Sequence, residues 1–270
     1  MFIILTGSSG VGKNTIISEL EKETEKYKLM PTITTRNKRP GEVQGYPYFF
    51  LTKDEFQQKI RENALIEYEF IHENFYGSSY EVLEESLKDG KILLKDIGIE
   101  GAQNLSIKIA SKTPLIKVFL TTTKRELKRR LIGRGEKQIK LRLKRYKREQ
   151  GEINKFDYII YNNDLQQTCD YIKKLHEIKL EDILPTISAE KLCTKKINHY
   201  VSEIQKGKIL KPVKVQFENE KLYIVKGHEK FIAGVLTNKP VAKLIVDNKK
   251  INKVDDSEIQ KWKELLNQSK

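Results

Sequence analysis

Two spacings alternate along this chain. Phe2 to Thr6 (FIILT) is a continuous apolar run stopped by Gly7, the pattern of a strand buried on both faces of a parallel sheet. Thr15 to Lys28 carries Ile16, Ile17 and Leu20 at helical spacing, which predicts a helix. Strand, glycine-rich turn and helix in that order open an α/β nucleotide-binding fold. Three further apolar runs predict strands: Lys91 to Ile97 (KILLKDI), Leu115 to Leu120 (LIKVFL) and Asp157 to Tyr161 (DYIIY). A strongly basic helix is expected from Lys124 to Leu131, and a helix of ordinary charge from Leu165 to His176.

The pattern changes near Ile178. Leu180, Ile183 and Leu184 lead to Pro185, and a helical stretch follows from Ser188 to Gln205. Two strand-like runs, Val213 to Phe217 and Lys221 to Val225, precede Gly227. A short helix then carries Phe231, Ile232 and Val235, Val241 to Val246 reads as a strand, and the chain closes on a polar helix bearing Trp262. The expected organisation is a domain over 1–177 and a smaller one over 178–270, with no internal repeat.

Composition narrows the class. Of 270 residues, 38% are apolar, enough for a packed core, and the formal net charge of +14 favours anionic partners such as nucleotides or nucleic acid. The two cysteines, Cys169 and Cys193, form neither a disulfide framework nor a metal-spaced cluster, which fits a reducing, cytoplasmic setting. No run approaches the roughly 20 apolar residues of a membrane span, and the N-terminal run is too short for a signal peptide. No membrane partner is expected.

Gly7-Ser8-Ser9-Gly10-Val11-Gly12-Lys13 lies between the first strand and the first helix and follows the Walker A spacing. Its glycines let backbone N–H groups converge on phosphate oxygens, and the following helix adds its positive end. Lys13 supplies a full charge to the β- and γ-phosphates of ATP. The next position ordinarily carries a Ser or Thr hydroxyl for Mg²⁺. Here it is Asn14, whose carboxamide oxygen is a neutral candidate ligand, with Thr15 one step further along the helix.

The acceptor follows from Thr34-Thr35-Arg36, Arg39, Gly41-Glu42, Gly45 and Tyr48. This segment resembles the T-T-R-x-x-R-x-G-E-x-x-G-x-x-Y of guanylate kinases, with every letter present. Leu65-Ile66-Glu67-Tyr68 resembles that family's F-I-E-W/Y element, and Asn74-Phe75-Tyr76-Gly77-Ser78 its N-x-Y-G-[ST] element. The resemblance covers residues 1 to 176 and implies a kinase moving the terminal phosphate of ATP onto GMP or dGMP, with Mg²⁺. It implies that Arg36, Arg39, Tyr48 and Tyr76 grip the acceptor phosphate, that Glu67 accepts from guanine N1–H and its 2-amino group, and that Thr32 and Ser78 face O6. The chemistry is sound in its own right. Guanidinium forks match phosphate oxygens, and a carboxylate left unpaired by adenine discriminates against it.

Asp96 ends the KILLKD strand, where the family has L-D-x-D-x-Q-G. The first Asp is kept, Gly98 replaces the second, and Glu100 replaces Gln. Glu126 to Gly135 resembles the L-x-x-R-L-x-x-R-G lid, implying that Arg130 and Arg134, with Arg142 from Leu141-Arg142-Leu143, stabilise the transferring phosphoryl group. Lys124 to Arg148 holds 13 Lys and Arg against two Glu, more than such a lid needs, and leaves room for a nucleic-acid contact. Asn162 in Tyr161-Asn162-Asn163-Asp164-Leu165 resembles the family's V-N-D-D-L, which implies a place near the adenine of ATP.

Residues 178 to 250 are foreign to that pattern. Gly207 to Val215, then Tyr223 to Ala233, resemble the ParB/sulfiredoxin superfamily, whose G-x-x-R turn holds nucleotide phosphates. Gly227, His228 and Lys230 are the matching positions, with Lys replacing Arg. The cysteine of sulfiredoxins is absent, which argues against thiol chemistry. The fold expected is therefore an α/β P-loop nucleoside monophosphate kinase fold with a parallel sheet, plus a smaller α+β ParB-like domain. Two other readings stand beside the kinase one: a catalytically weak guanylate-kinase-like binding module, and a DNA-associated nucleotide-binding protein.

Overall fold

A computed structural model describes residues 1–39, 41–71, 73–247 and 251–267. Pro40, inside the acceptor segment, lies outside them. The chain divides into two compact units. The first comprises Met1–Gly7 and Gly12–Lys117, the second Ser8–Val11 and Val118–Lys270.

In the first unit β1 (Phe2–Thr6) is buried along its whole length, as an unbroken apolar run predicts for a strand covered on both faces. The helix α1 (Lys13–Glu23) starts at Gly12, whose φ of 101° is left-handed and costs glycine little, and buries Ile16, Ile17 and Leu20. It stops sooner than the sequence suggests. Thr24 turns extended, and Tyr27–Leu29 forms β2 rather than a last helical turn, because Tyr27 finds an interior site in the sheet.

Five strands unannounced by the apolar pattern come next: β3 (Thr32–Thr34), β4 (Val43–Gln44), β5 (Pro47–Phe50), then past α2 (Lys53–Arg61), β6 (Leu65–Ile71) and β7 (Asn74–Ser79). They make one sheet in the order β4-β5-β3-β7-β6 over a core of Ile33, Phe56 and Leu65. After α3 (Tyr80–Leu87), β8 (Ile92–Asp96) pairs in parallel with both β1 and β2, and α4 (Ile99–Ile109) follows.

The strand β9 (Leu115–Thr121) carries the chain into the second unit. There α5 (Lys124–Gly133) and α6 (Ile139–Glu149) precede β10 (Tyr158–Tyr161) and α7 (Leu165–Leu175). The later segments are β11 (Ile183–Leu184), α8 (Thr194–Gln205), β12 (Val213–Glu218), β13 (Lys221–Lys226), α9 (His228–Leu236), β14 (Lys243–Ile245) and α10 (Asp256–Asn267). The helix expected from Ser188 is broken: a 3₁₀ turn at Ala189–Lys191 ends in extended Leu192 and Cys193 before α8 begins.

The strands after residue 178 continue the sheet of the residues before it. β14 pairs in parallel with β10 and with β12, β12 runs antiparallel to β13, and β11 joins β13 in parallel. Trp262 on α10 is 1% exposed. It stacks on Phe231 at 5.8 Å, and its indole N–H donates to Ile183 O at 3.0 Å. Among the described residues no helix is long and apolar enough to cross a membrane.

Candidate functional site

The first unit holds a cleft of about 240 Å³ lined by Asn14, Thr32, Tyr48 and Asp96, with Ile17 and Pro47 among its apolar walls. Lys13, at the first position of α1, donates to Gly7 O at 2.6 Å and lies 3.6 Å from Asp96 Oδ1. Asn14 is exposed, so its carboxamide is open to a ligand.

Just past β3, Arg36 donates from one nitrogen, Nη2, to both oxygens of the Glu42 carboxylate at 2.7 and 3.0 Å. Its guanidinium also lies over the rings of Tyr48 (5.1 Å) and Phe50 (5.5 Å). The Glu42 hydrogen bond holds the arginine's pKa up, and the same bond lowers that of Glu42. Tyr48 and Tyr76 meet edge to face at 6.3 Å, and burial pushes the Tyr48 phenol up. Arg36, Tyr48 and Tyr76 thus form one cluster. Arg39 is exposed beside it, its backbone N–H on Glu42.

Glu67 pairs across β6 and β7 with Ser78 and is 7% exposed. Burial raises its pKa, and the adjacent Ser78 hydroxyl partly offsets that. Ser78 Oγ is fully buried beside that carboxylate, outside the geometry of a well-formed hydrogen bond.

Lys95 was not singled out by the sequence, although a lysine interrupting an apolar strand was a visible signal. It is 1% exposed. Nζ donates to Pro31 O at 2.9 Å, to Met30 O at 3.4 Å and to Thr32 Oγ1 at 2.8 Å. Burial pushes its pKa down to about 8, against the opposing pull of Glu67 and Asp96.

In the second unit Gly10 has φ 96°, and a Cβ there would press on Leu131 and Leu127 of α5 at 3.1 and 3.2 Å. The left-handed backbone there strains any other residue, and the tight approach to α5 adds to it. Arg130 reaches back to it, donating to Val11 O (3.1 Å) and Asn162 O (2.8 Å) while Glu126 holds its Nε at 2.8 Å. Arg134 donates to Ser9 Oγ at 3.0 Å. Arg134 and Arg142 share one oxygen of Glu136, at 3.0 and 3.2 Å. Ser8 Oγ donates to the carboxylate of Glu149. Sequence reading missed both Glu136 and Glu149, whose partners are visible only once α6 is folded against the loop.

Asn162 is buried. Its amide donates to Val11 O at 2.8 Å and its Oδ1 accepts from Thr168 at 3.0 Å. Its polar atoms therefore anchor the loop.

A family model described as Guanylate kinase matches residues 1–179. The chain belongs to the guanylate kinase family. It is 34% identical over 192 residues to the guanylate kinase of Bacillus subtilis, covering 68% of this chain and 93% of that protein. The Rickettsia felis guanylate kinase is 36% identical over 182 residues, with coverage of 66% and 92%. The crystal structure of guanylate kinase from Anaplasma phagocytophilum matches with a TM-score of 0.52 at 25% identity, over 66% of this chain and 84% of that one. The family match ends at residue 179, so the strands and helices from β11 onward lie outside it.

There, Gly227 caps α9 in the left-handed region (φ 98°). His228 does not face solvent as a phosphate site requires. It is 4% exposed, and its Nε2 accepts from Thr186 N–H at 3.1 Å, an interior hydrogen bond that uses the lone pair. Lys230 lies 5.7 Å over the Tyr200 ring, its pKa lowered by burial and by Lys211 and Lys226.

Proposed function

We propose that this chain transfers the γ-phosphoryl group of ATP to GMP or dGMP, giving ADP and the diphosphate. The observation that carries this reading is the acceptor cluster of the first unit. A buried carboxylate, Glu67, stands beside the buried hydroxyl of Ser78, and the Arg36 guanidinium lies over the Tyr48 ring. The carboxylate suits the N1–H and 2-amino donors of guanine, and the guanidinium suits the acceptor phosphate.

In the reaction an oxygen of the GMP phosphate bonds to the γ-phosphorus of ATP as the bond from that phosphorus to the β,γ-bridging oxygen breaks, and ADP leaves. The acceptor oxygen is already anionic, so no general base is required. Arg36, Arg39, Tyr48 and Tyr76 hold the acceptor phosphate, with Thr32 and Ser78 on guanine O6. Lys13 and the loop residues Gly7 to Gly12, followed by Asn14 and Thr15, hold the donor phosphates. Arg130, Arg134 and Arg142 neutralise charge as the phosphoryl group moves, and excluding water limits hydrolysis.

Mg²⁺ fits the donor set. Asn14 and Asp96 offer hard oxygen ligands on one cleft. Among the described residues no three His, Cys, Asp or Glu side chains converge as a metal cluster, so nucleotide and water would complete the shell. When bound, the ion would screen the phosphate charge. Residues 1–177 would carry this activity in a reducing, cytoplasmic setting.

Residues 178–270 form, in this reading, a ParB-like appendage whose candidate phosphate contacts reduce to Gly227 and Lys230. A helix N-terminus and one lysine support that much and no chemistry beyond it.

The test is ADP release with ATP, Mg²⁺ and each of GMP, dGMP, AMP, CMP and UMP, on the full chain and on Glu67→Ala. Guanine-selective turnover that collapses in the variant supports the assignment. Tight GMP binding without turnover would replace it with a binding module.

A further inference from the structure

Lys95 stands where the strand pattern calls for an apolar residue. Its neighbours Leu93 and Leu94 are fully buried, and a lysine among them gives up its hydration. An ammonium has three donors and no acceptor. Here the donors meet Pro31 O, Met30 O and Thr32 Oγ1. The two carbonyls tie down the chain entering β3. The third contact does something else. Thr32 Oγ1 receives a charge-assisted hydrogen bond, so its own proton must point away from Lys95, and the oxygen's polarisation makes that proton a stronger donor.

Thr32 lines the same cleft as Tyr48 and Asp96. We propose that Lys95 is a positioning residue for base specificity, acting through Thr32: it turns the threonine hydroxyl into a donor matched to a 6-oxo purine and mismatched to a 6-amino one. This rests on the guanine reading of the cleft. Glu67 reads the donor edge of the base, and the Lys95–Thr32 relay reads its acceptor. A buried methionine at position 95 would fill the same space and leave the hydroxyl free to rotate to either role.

The experiment is a double-mutant cycle on the full chain with Lys95→Met, Thr32→Val and the pair. It measures kcat and KM for GMP and for 6-thioGMP, whose sulfur is a weak acceptor. Lys95→Met should lower kcat/KM for GMP about tenfold, mainly through KM, and that for 6-thioGMP less than about threefold. Thr32→Val should do the same, and the pair should be no worse than Thr32→Val alone. Equal losses on both nucleotides, or losses that add in the pair, would make Lys95 merely structural and overturn the proposal. Lys95→Gln, a neutral donor, guards against misfolding of the methionine variant. Its GMP to 6-thioGMP ratio should fall between the two, and a wild-type ratio would sink the charge-assisted relay. Failure of the guanine reading itself shows separately, as a wild-type chain that does not prefer GMP over AMP.

Discussion

The carboxylate of Glu69 stands where residue 98 would place a side chain: a Cβ on Gly98 would lie 2.8 Å from Glu69 Oε1. Two residues back on the same strand face, Glu67 Oε2 lies 3.0 Å from where a Cβ on Gly101 would stand. Both glycines belong to the start of α4, where unsatisfied backbone N–H groups favour negative charge. The aspartate that the family pattern has at 98 is missing, and an acid reaches the same spot from β6 instead.

The exchange predicts a compensating pair. Gly98→Asp alone puts a second carboxylate where Glu69 stands and must displace that flexible side chain. It should destabilise the fold by about 1 kcal/mol and lower kcat/KM for GMP about tenfold. Adding Glu69→Ala should recover most of both losses. Thermal melts and GMP kinetics on the two singles and the double decide it, and losses that simply add would show that the two side chains do not share the space.

A second prediction concerns the lid. Glu136 binds both Arg134 and Arg142, and its pKa is held down first by the Gln138 backbone N–H and then by the arginines. It stays anionic near neutral pH and occupies the arginines as a phosphate would. Glu136→Gln should therefore lower the KM for ATP about two- to fivefold, the scale of an exposed ion pair, with kcat little changed. A KM that rises instead would mean that Glu136 holds the arginines in their working position.

These carboxylates mark the limit of what the chain's pattern discloses. The loop from Gly7 to Lys13, the buried strand before it and the Arg36 to Tyr48 segment were legible because each is a local arrangement, set by residues a few positions apart. The helix expected through Lys28 gives way at Tyr27, where sheet pairing with Ile92 and Leu93 overrides the amphipathic period. Asn162 on Val11, Glu149 on Ser8 and Lys95 on Thr32 join residues 151, 141 and 63 positions apart, and no spacing rule reaches that far. That β14 would pair with β10 was not legible either, since nothing in a three-residue strand names its partner.

The appended segments carry their own pH signature. His228 is buried against Thr186, with its ring 6.1 Å from and edge-on to Trp262. Because Nε2 accepts the Thr186 N–H, the imidazole is neutral, and protonation would break that bond without hydration to compensate. Burial lowers its pKa from 6.5 to about 4, against the weaker pull of Glu229 and the Ile224 carbonyl. The folded value lies below the unfolded one, so between these limits the unfolded chain binds more protons. Stability from this group is then complete above pH 6.5 and falls as the pH drops toward 4. Between about pH 7.5 and pH 5 the loss should be about 2 kcal/mol. His228→Gln keeps an acceptor for Thr186 and cannot titrate. Urea unfolding followed by Trp262 fluorescence at both pH values should show the wild type losing that much more stability than the variant. Parallel losses in the two proteins would place the histidine's proton elsewhere.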